Sequence, residues 1–191
     1  MELSLKLQGR PFAEALLKTV QRSVDPVLRG TLNTTVTATR RERFTKPLRG
    51  VLSSRRANRR MVIKRARRGR MDARLIPSGS GIPVTEYSRW GFDAIDKTRA
   101  RVWVVGLGGK KVAAGFVNPG AQRKLPLSTR SQKIGRVRTY TYKRALGEAL
   151  APSVAYWFKR LAQGNTLRWT NAFLRREFER RIKIELAKGP R

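Results

Sequence analysis

Eight arginines in the middle of the chain are the residues best suited to chemistry, because they can bind phosphate or carboxylate groups. A guanidinium group stays charged at physiological pH and can donate two parallel hydrogen bonds to an oxyanion. The candidates are Arg55, Arg56, Arg59, Arg60, Arg65, Arg67, Arg68 and Arg70. This pattern predicts contact with phosphates or with acidic partner proteins, and it does not decide between the two.

A run of charge is also typical of a solvated or subunit-facing surface. Here the excess extends well beyond the run: the net charge is +13 over residues 40–74, +10 over 75–150 and +7 over 151–191, within a total of +32. Arginine outnumbers lysine 31 to 13. We therefore favour polyanion contact. No DNA- or RNA-binding motif is recognisable, so the predicted binding is independent of sequence and sensitive to salt.

The composition leaves few residues for catalysis. The chain has no cysteine and no histidine, which excludes disulfides, thiolate zinc sites and the usual general base near neutral pH. The densest acidic group is Glu86, Asp93 and Asp96, and we expect these to pair with the chain's own arginines or with a neighbouring subunit. We predict no enzyme activity, no cofactor and no metal site. Nuclease chemistry that depends on Asp93 or Asp96 is the alternative.

Two further motifs have ordinary structural interpretations. The segment Gly106-x-Gly108-Gly109-Lys110 is similar to a phosphate-binding loop but lacks its spacing and its final Ser or Thr. We predict a hairpin turn there. Four aromatic residues could stack on bases, but their helical spacing favours the core or a subunit interface. They are Trp157, Phe158, Trp169 and Phe173.

The arginines are predicted to lie on a hairpin and a short helix. Residues 60–64 and 73–76 flank Arg67-Arg68-Gly69-Arg70, which predicts a hairpin with an arginine-rich tip. A continuous helix through Ala66 is the alternative. Pro47 is predicted to start a short helix over residues 48–56.

The whole chain predicts an α+β fold, in which a twisted, mainly antiparallel sheet packs against N-terminal and C-terminal helices. The strands are predicted near residues 61–65, 72–77, 101–106, 112–117 and 136–142. The strand at 101–106 is apolar enough for a central position covered on both faces. Residues 77–100 and 118–135 are predicted to be long loops.

Helical stripes mark both ends of the chain. Asp25-Pro26 predicts an N-cap followed by proline at the first helical position. The threonine-rich run 33–39 is also compatible with a strand, which is the alternative to a helix there. Pro152 predicts a helix that ends at Gly164, and the next helix carries an apolar stripe. That stripe is Leu174, Phe178, Ile182 and Leu186. Glu177 and Arg181 have the spacing of an ion pair on that helix.

We predict one domain over residues 1–191. It comprises an N-terminal strand and helices (1–46), a basic segment with the sheet (47–150) and C-terminal helices (151–191). The first residues lack the pattern of a signal peptide, and no apolar run approaches the roughly 18 residues of a membrane span. We therefore expect a cytoplasmic product without a membrane partner.

The order of these features resembles the minor tail protein Z family of lambda-like tailed phages, which is close to the tail-completion proteins of other siphophages. The resemblance rests on Asp25-Pro26-x-Leu28, Arg40-Arg41-Glu42-Arg43, the basic segment 48–70, Ile82-Pro83-Val84, residues 102–106, Ala114-Gly115-Phe116-Val117 and the helices from Pro152. The connection 118–131 and Tyr156-Trp157-Phe158 depart from the family pattern. The family has no catalytic residues to carry over.

The resemblance implies a structural virion protein at the neck of a phage, supporting head–tail joining and DNA passage at the head-proximal end of the tail. Such a protein is made in the host cytoplasm and forms a ring with itself, taken as a hexamer by analogy. Its implied partners are the tail terminator, tail tube and head–tail connector proteins, and phage DNA in the channel. The alternative is a sequence-independent nucleic-acid-binding protein such as a ribosome-associated module.

Overall fold

The computed structural model describes residues 2–5, 10–18, 23–133 and 140–189. The fold is α+β, with helices in the N-terminal and C-terminal regions and two antiparallel sheets of three and seven strands. The predicted fold class is confirmed. The chain forms two compact units: the first comprises Met1–Pro47, Asn58–Ser78 and Phe158–Arg191, and the second comprises Leu48–Ala57 and Gly79–Trp157. The assignment of one domain over residues 1–191 stays a prediction.

The first unit contains the three-stranded sheet, in the order β1 (Leu3–Leu5), β3 (Ala73–Pro77), β2 (Met61–Lys64). Strands β2 and β3 pair antiparallel, from Met61 opposite Pro77 to Lys64 opposite Arg74. The predicted hairpin is therefore confirmed, and the continuous helix through Ala66 is wrong. Burial alternates along β3, with Ala73, Leu75 and Pro77 buried, and this is the period of a strand and not of a helix.

Helices α1 (Arg10–Lys18) and α2 (Asp25–Thr39) begin the helical part of the first unit. The strand alternative for residues 33–39 is wrong, since the buried stripe of Leu28, Leu32 and Val36 follows the helical period. Asp25 is the first residue of α2 rather than its N-cap, and Pro26 occupies the first turn, where no N–H is needed.

Helix α2 continues through a π-helical turn at Arg40–Thr45 into α3 (Lys46–Leu48). The prediction that Pro47 starts a helix over 48–56 is wrong. Pro47 has no N–H to donate, and the helix ends one residue later. Helix α4 (Ser54–Arg59) begins separately, where the Ser53 hydroxyl oxygen accepts the Arg56 N–H at 3.4 Å.

Helices α5 (Val154–Leu161) and α6 (Gly164–Ala187) end the chain. Gly164 begins α6 instead of ending α5, and the Thr166 hydroxyl donates to the last carbonyl of α5, at Leu161, over 2.6 Å. In the first unit the α6 stripe packs on α1 and α2. That cluster consists of Leu17, Val24, Val27, Leu28 and Ile182, with Phe178 and Leu186 beside it.

The second unit contains the seven-stranded sheet, in the order β4-β10-β7-β6-β5, with β8 paired to β7 and β9 paired to β8. The strands are β4 (Ile82–Pro83), β5 (Trp90–Ala94), β6 (Ala100–Gly106), β7 (Gly109–Val117), β8 (Leu127–Lys133), β9 (Tyr140–Glu148) and β10 (Leu150–Ala151). Strands β4, β5 and β8 lie where long loops were predicted. Within the predicted strand 136–142, residues 136–139 lie outside the described residues, and Tyr140 begins β9.

Strand β6 is paired on both sides, with β5 and β7, but it lies next to the edge strand β5 and is not covered on both faces, so the predicted central, doubly covered position is wrong. Val102 and Val104 are fully buried, whereas Arg101 is exposed and Trp103 only half-buried. The predicted turn at Gly106-x-Gly108-Gly109 is confirmed, since β6 and β7 pair from Gly106 opposite Gly109. Gly109 has φ +96°, which residues with a side chain rarely adopt.

Candidate phosphate-binding surface

The hairpin between β2 and β3 groups four of the eight candidate arginines. Arg67 and Arg70 exchange backbone hydrogen bonds of 3.0 and 2.9 Å, so Arg68 and Gly69 form a two-residue tip. Gly69 has φ +77°, a conformation that suits glycine. The side chains of Arg65, Arg67, Arg68 and Arg70 are all exposed.

A cavity of about 300 Å³ lies beside this hairpin, and we name it the arginine basin. It is lined by Lys64, Arg65, Arg67, Arg70, Asp72 and Arg74. Five cations therefore surround one carboxylate. Within the part of the chain that the structure describes, Arg65 and Arg67 form no ion pair, so their guanidinium groups are available to a ligand.

Asp72 organises the basin. Its side chain is buried and accepts hydrogen bonds from Arg70 Nε at 2.8 Å and Arg74 Nε at 2.5 Å. These hydrogen bonds hold the pKa of the Asp72 carboxyl below its usual range, and the bond from Arg74 has the largest effect. Because both arginines are held through Nε, the planes of their guanidinium groups are fixed. The terminal nitrogens of Arg70 remain to meet an anion, whereas one terminal nitrogen of Arg74 lies 3.4 Å from the Glu2 carboxylate.

Sequence reasoning missed Asp72, Arg74 and Lys64 as site residues. A signal was present, because Arg70, Asp72 and Arg74 are spaced by two. Alternate residues of an extended chain lie on the same face, so this spacing places the carboxylate between two cations. The sequence prediction of phosphate-contacting residues covered only the eight arginines that lie near Gly69 or on the helix before the hairpin.

The other four candidate arginines do not line the basin. Arg55, Arg56 and Arg59 lie exposed on α4, and Arg60 is half-buried just after it. Arg56 donates through a terminal nitrogen to the Glu86 carbonyl at 2.8 Å and lies 3.9 Å from its carboxylate. The predicted set is thus divided between the hairpin and α4.

A second cavity of about 470 Å³, the helical groove, lies between α2, α6 and the hairpin base in the first unit. Helix α2 lines it between Gly30 and Ala38, the following π-helical turn contributes Arg41, and α6 contributes Phe173 and Arg181. Arg65 lines both the groove and the basin. The two cavities are therefore neighbours that share one arginine.

Glu177 positions the arginine of the groove. Its carboxylate, about nine-tenths buried, accepts from Arg181 Nε at 2.7 Å and from two nitrogens of Arg180 at 2.8 Å. The predicted Glu177–Arg181 pair is confirmed. These hydrogen bonds lower the pKa of Glu177, and the bond from Arg180 has the largest effect. Arg181 also donates to the Thr34 hydroxyl at 3.0 Å, so its guanidinium is held against α2.

The aromatic residues divide into two groups. Trp157 and Phe158 are about 1% exposed, so the core prediction is confirmed for them. Trp169 and Phe173 are half-buried and stack on each other, with ring centroids 5.2 Å apart. Arg43 lies 5.9 Å from the centroid of Trp169. Phe173 also lines the groove.

Each member of the acidic group lies beside a cation of its own chain: Glu86 and Asp96 pair with arginines, as predicted, whereas Asp93 pairs with a lysine. Asp96 accepts a hydrogen bond from Arg99 at 2.7 Å. The pKa of Asp96 is lowered by backbone and side-chain hydrogen bonds, and the largest contribution comes from the Thr98 N–H. Asp93 accepts from Trp103 Nε1 at 3.0 Å and lies 3.8 Å from Lys110. Across the described residues, no three acidic, histidine or cysteine side chains are grouped to hold a metal ion.

Comparison with known proteins identifies no relative: no family model, no curated protein and no solved structure matches the chain. In the described ranges, no helix has the length and apolarity to cross a bilayer. The chemistry of the surface is therefore the main guide to function.

Proposed function

We propose that the chain is a structural virion protein of a tailed phage, a minor tail or tail-completion component at the head-proximal end of the tail. There it supports head–tail joining and DNA passage. The observation that carries the proposal is the arginine basin, a cluster of cations held in place by a buried carboxylate. The sequence of the chain also resembles tail-completion proteins. It acts as a binding component and not as an enzyme.

The charge balance supports a polyanionic neighbour. The chain has 44 lysines and arginines against 12 aspartates and glutamates. Several carboxylates, including Asp72, Asp96 and Glu177, already bind two cations or a cation and backbone groups. They therefore cannot neutralise the remaining arginines. Copies of such a chain repel one another unless an anionic partner compensates the charge.

A ring around DNA provides that compensation. Repeated head-to-tail interfaces around an axis close into a ring, which we take as a hexamer, and its arginines face either DNA in the channel or acidic neighbours. The tail terminator, tail tube and head–tail connector proteins are the proposed protein neighbours. The proposed location is the neck of the virion.

A sequence-independent nucleic-acid-binding module, such as a ribosome-associated protein, is the second candidate. One observation favours it: the basin is complete within a single chain and needs no partner residue. Such a module binds nucleic acid alone and has no function in a particle, whereas the tail component is required there.

Deletion of the gene from the phage that encodes it distinguishes the two. The tail assignment predicts that heads and tails of normal length still form but that few infectious particles result, and that the wild-type gene supplied in trans restores infectivity. Normal infectivity without the gene, or loss of head formation, would rule out the tail assignment.

A further inference from the structure

We propose that the first unit binds single-stranded DNA, with phosphates in the arginine basin and one base against Phe173 in the helical groove. The proposal goes beyond the proposed function, because it adds a single strand as a ligand of the chain itself, beside the DNA that passes through the tail. Proteins that bind single strands combine a positively charged groove with aromatic side chains on which bases stack. The first unit contains both features.

Arg65 joins the phosphate contacts into one path. It lines the basin together with Arg67, Arg70 and Arg74, and it lines the groove together with Arg41 and Arg181. Cations of the first unit therefore line both cavities, and Arg65 belongs to both sets. A strand backbone that lies along this path meets a guanidinium group at each cavity.

The arginines of the path are held in place before a ligand binds. Asp72 fixes Arg70 and Arg74 in the basin, and Glu177 with Thr34 fixes Arg181 in the groove. Immobilising long side chains in advance lowers the entropic cost of binding. A merely solvated charged surface has no need of buried carboxylates that position its cations.

Phe173 provides the base contact. Its ring stacks on Trp169 at an interplanar angle of 20°, and Arg43 lies on the ring of Trp169. A base placed against Phe173 extends this stack by one member. The groove, at about 470 Å³, has room for a nucleotide and is lined by small and polar residues of α2 next to the ring.

The aromatic ring favours a single strand over the other polyanions. In a duplex the bases are stacked and paired with one another, so none reaches Phe173 without being extruded. An acidic peptide would use the arginines but has no planar ring to stack in the groove. Stacking on any base also fits the absence of a sequence-reading motif.

Fluorescence anisotropy of the purified full-length chain tests the proposal. The probes are a labelled oligo(dT) of about 20 nucleotides, a duplex of the same length and a polyglutamate of matched charge, each at several salt concentrations. We expect the tightest binding for oligo(dT). Phe173→Leu should weaken oligo(dT) binding about tenfold without changing the salt dependence, since it removes stacking and no charge. Phe173→Tyr keeps a stacking ring and should bind like the wild type.

Arg65→Gln should lower the slope of log affinity against log salt by about 0.7, the value for one phosphate contact on a single strand. Arg123→Gln, which removes one exposed charge in the second unit, is the matched control and should leave the slope unchanged. Circular dichroism confirms that each variant folds.

Three results would overturn the proposal: polyglutamate or duplex bound as tightly as oligo(dT), folded Phe173→Leu with full affinity, or Arg65→Gln with the same salt slope as Arg123→Gln. These outcomes concern the isolated chain. They leave the tail assignment standing, just as normal infectivity after gene deletion would leave single-strand binding standing.

Discussion

The side chain of Asn33 in α2 binds both backbone groups of Ala66, accepting its N–H at 2.8 Å and donating to its carbonyl at 3.0 Å. Ala66 is buried and lies between Arg65 and Arg67. One amide side chain therefore ties the base of the arginine hairpin to α2. It holds the arginine basin and the helical groove in a fixed relation within the first unit.

Loss of this tie should destabilise the protein. Asn33→Ala removes the partner of two part-buried backbone groups of Ala66, and we expect the free energy of unfolding to fall by about 1–2 kcal/mol. Urea denaturation followed by circular dichroism measures it. Asn165→Ala is the matched control, since Asn165 is exposed and bonds only to exposed Arg168 among the described residues. It should change stability by no more than about 0.5 kcal/mol, and equal losses in the two variants would contradict the role of Asn33.

Stability should depend on the ionisation of Asp72. Its folded pKa is lowered by Arg74 and Arg70, so its contribution is present above the unfolded pKa of about 4 and is lost as the pH falls through the folded value. Asp72→Asn should therefore melt well below the wild type at pH 7, and the gap in Tm should close under acid. Thermal melts between pH 2 and pH 7 follow this gap.

Exposed Glu179, which forms no ion pair within the described residues, supplies the control Glu179→Gln. Its melting temperature should stay near that of the wild type throughout the same pH range. If Asp72→Asn behaved in the same way, the carboxylate would not be organising the basin.

Gly106 in β6 has no room for a side chain. A Cβ there would collide with the ring of Trp157, which is about 1% exposed and donates to the Tyr87 hydroxyl at 2.9 Å. We expect Gly106→Ala to lower the free energy of unfolding by about 1–3 kcal/mol and to change the tryptophan emission. Gly79→Ala, where no atom lies within 4 Å of the added Cβ, should be nearly neutral. Equal stability of the two variants would show that this contact is not tight.

The hairpin tip should contribute mainly charge, although Arg70 also donates a hydrogen bond to Asp72. Replacing Arg67, Arg68 and Arg70 together with glutamine should lower the salt slope of oligo(dT) binding by about 2, if each meets a phosphate. In the phage, the same change should reduce DNA passage or head–tail joining. The control replaces three exposed cations of α6, namely Arg175, Arg176 and Lys183, with glutamine. Full infectivity of folded hairpin variants would make the tip a solvated turn.

Local patterns in the sequence predicted the elements that depend on local physics. Gly69 between two apolar runs predicted the β2–β3 hairpin, and the stripe from Leu174 to Leu186 predicted the core face of α6. Strand β8 could not be predicted in this way, because it carries no apolar period and is defined by its pairing with β9. The helix boundary predicted at Pro47 was wrong, because the π-helical turn that precedes Pro47 extends the helix beyond this residue.

The candidate site was predictable only in part. The hairpin arginines follow from the charge run, and Asp72 was detectable from its spacing to Arg70 and Arg74. The helical groove was not, because it needs α2 and α6 side by side: Thr34 and Arg181 are in contact but 147 residues apart in the chain. Phe173 likewise looked like a core residue, and only the packing of α6 places it at a cavity.

Electron microscopy of phage particles with labelled copies of the chain tests the tail assignment most directly. The proposed function predicts label at the junction of head and tail, in every complete particle. Label at the tail tip or over the head, or particles that contain no labelled copy, would contradict it.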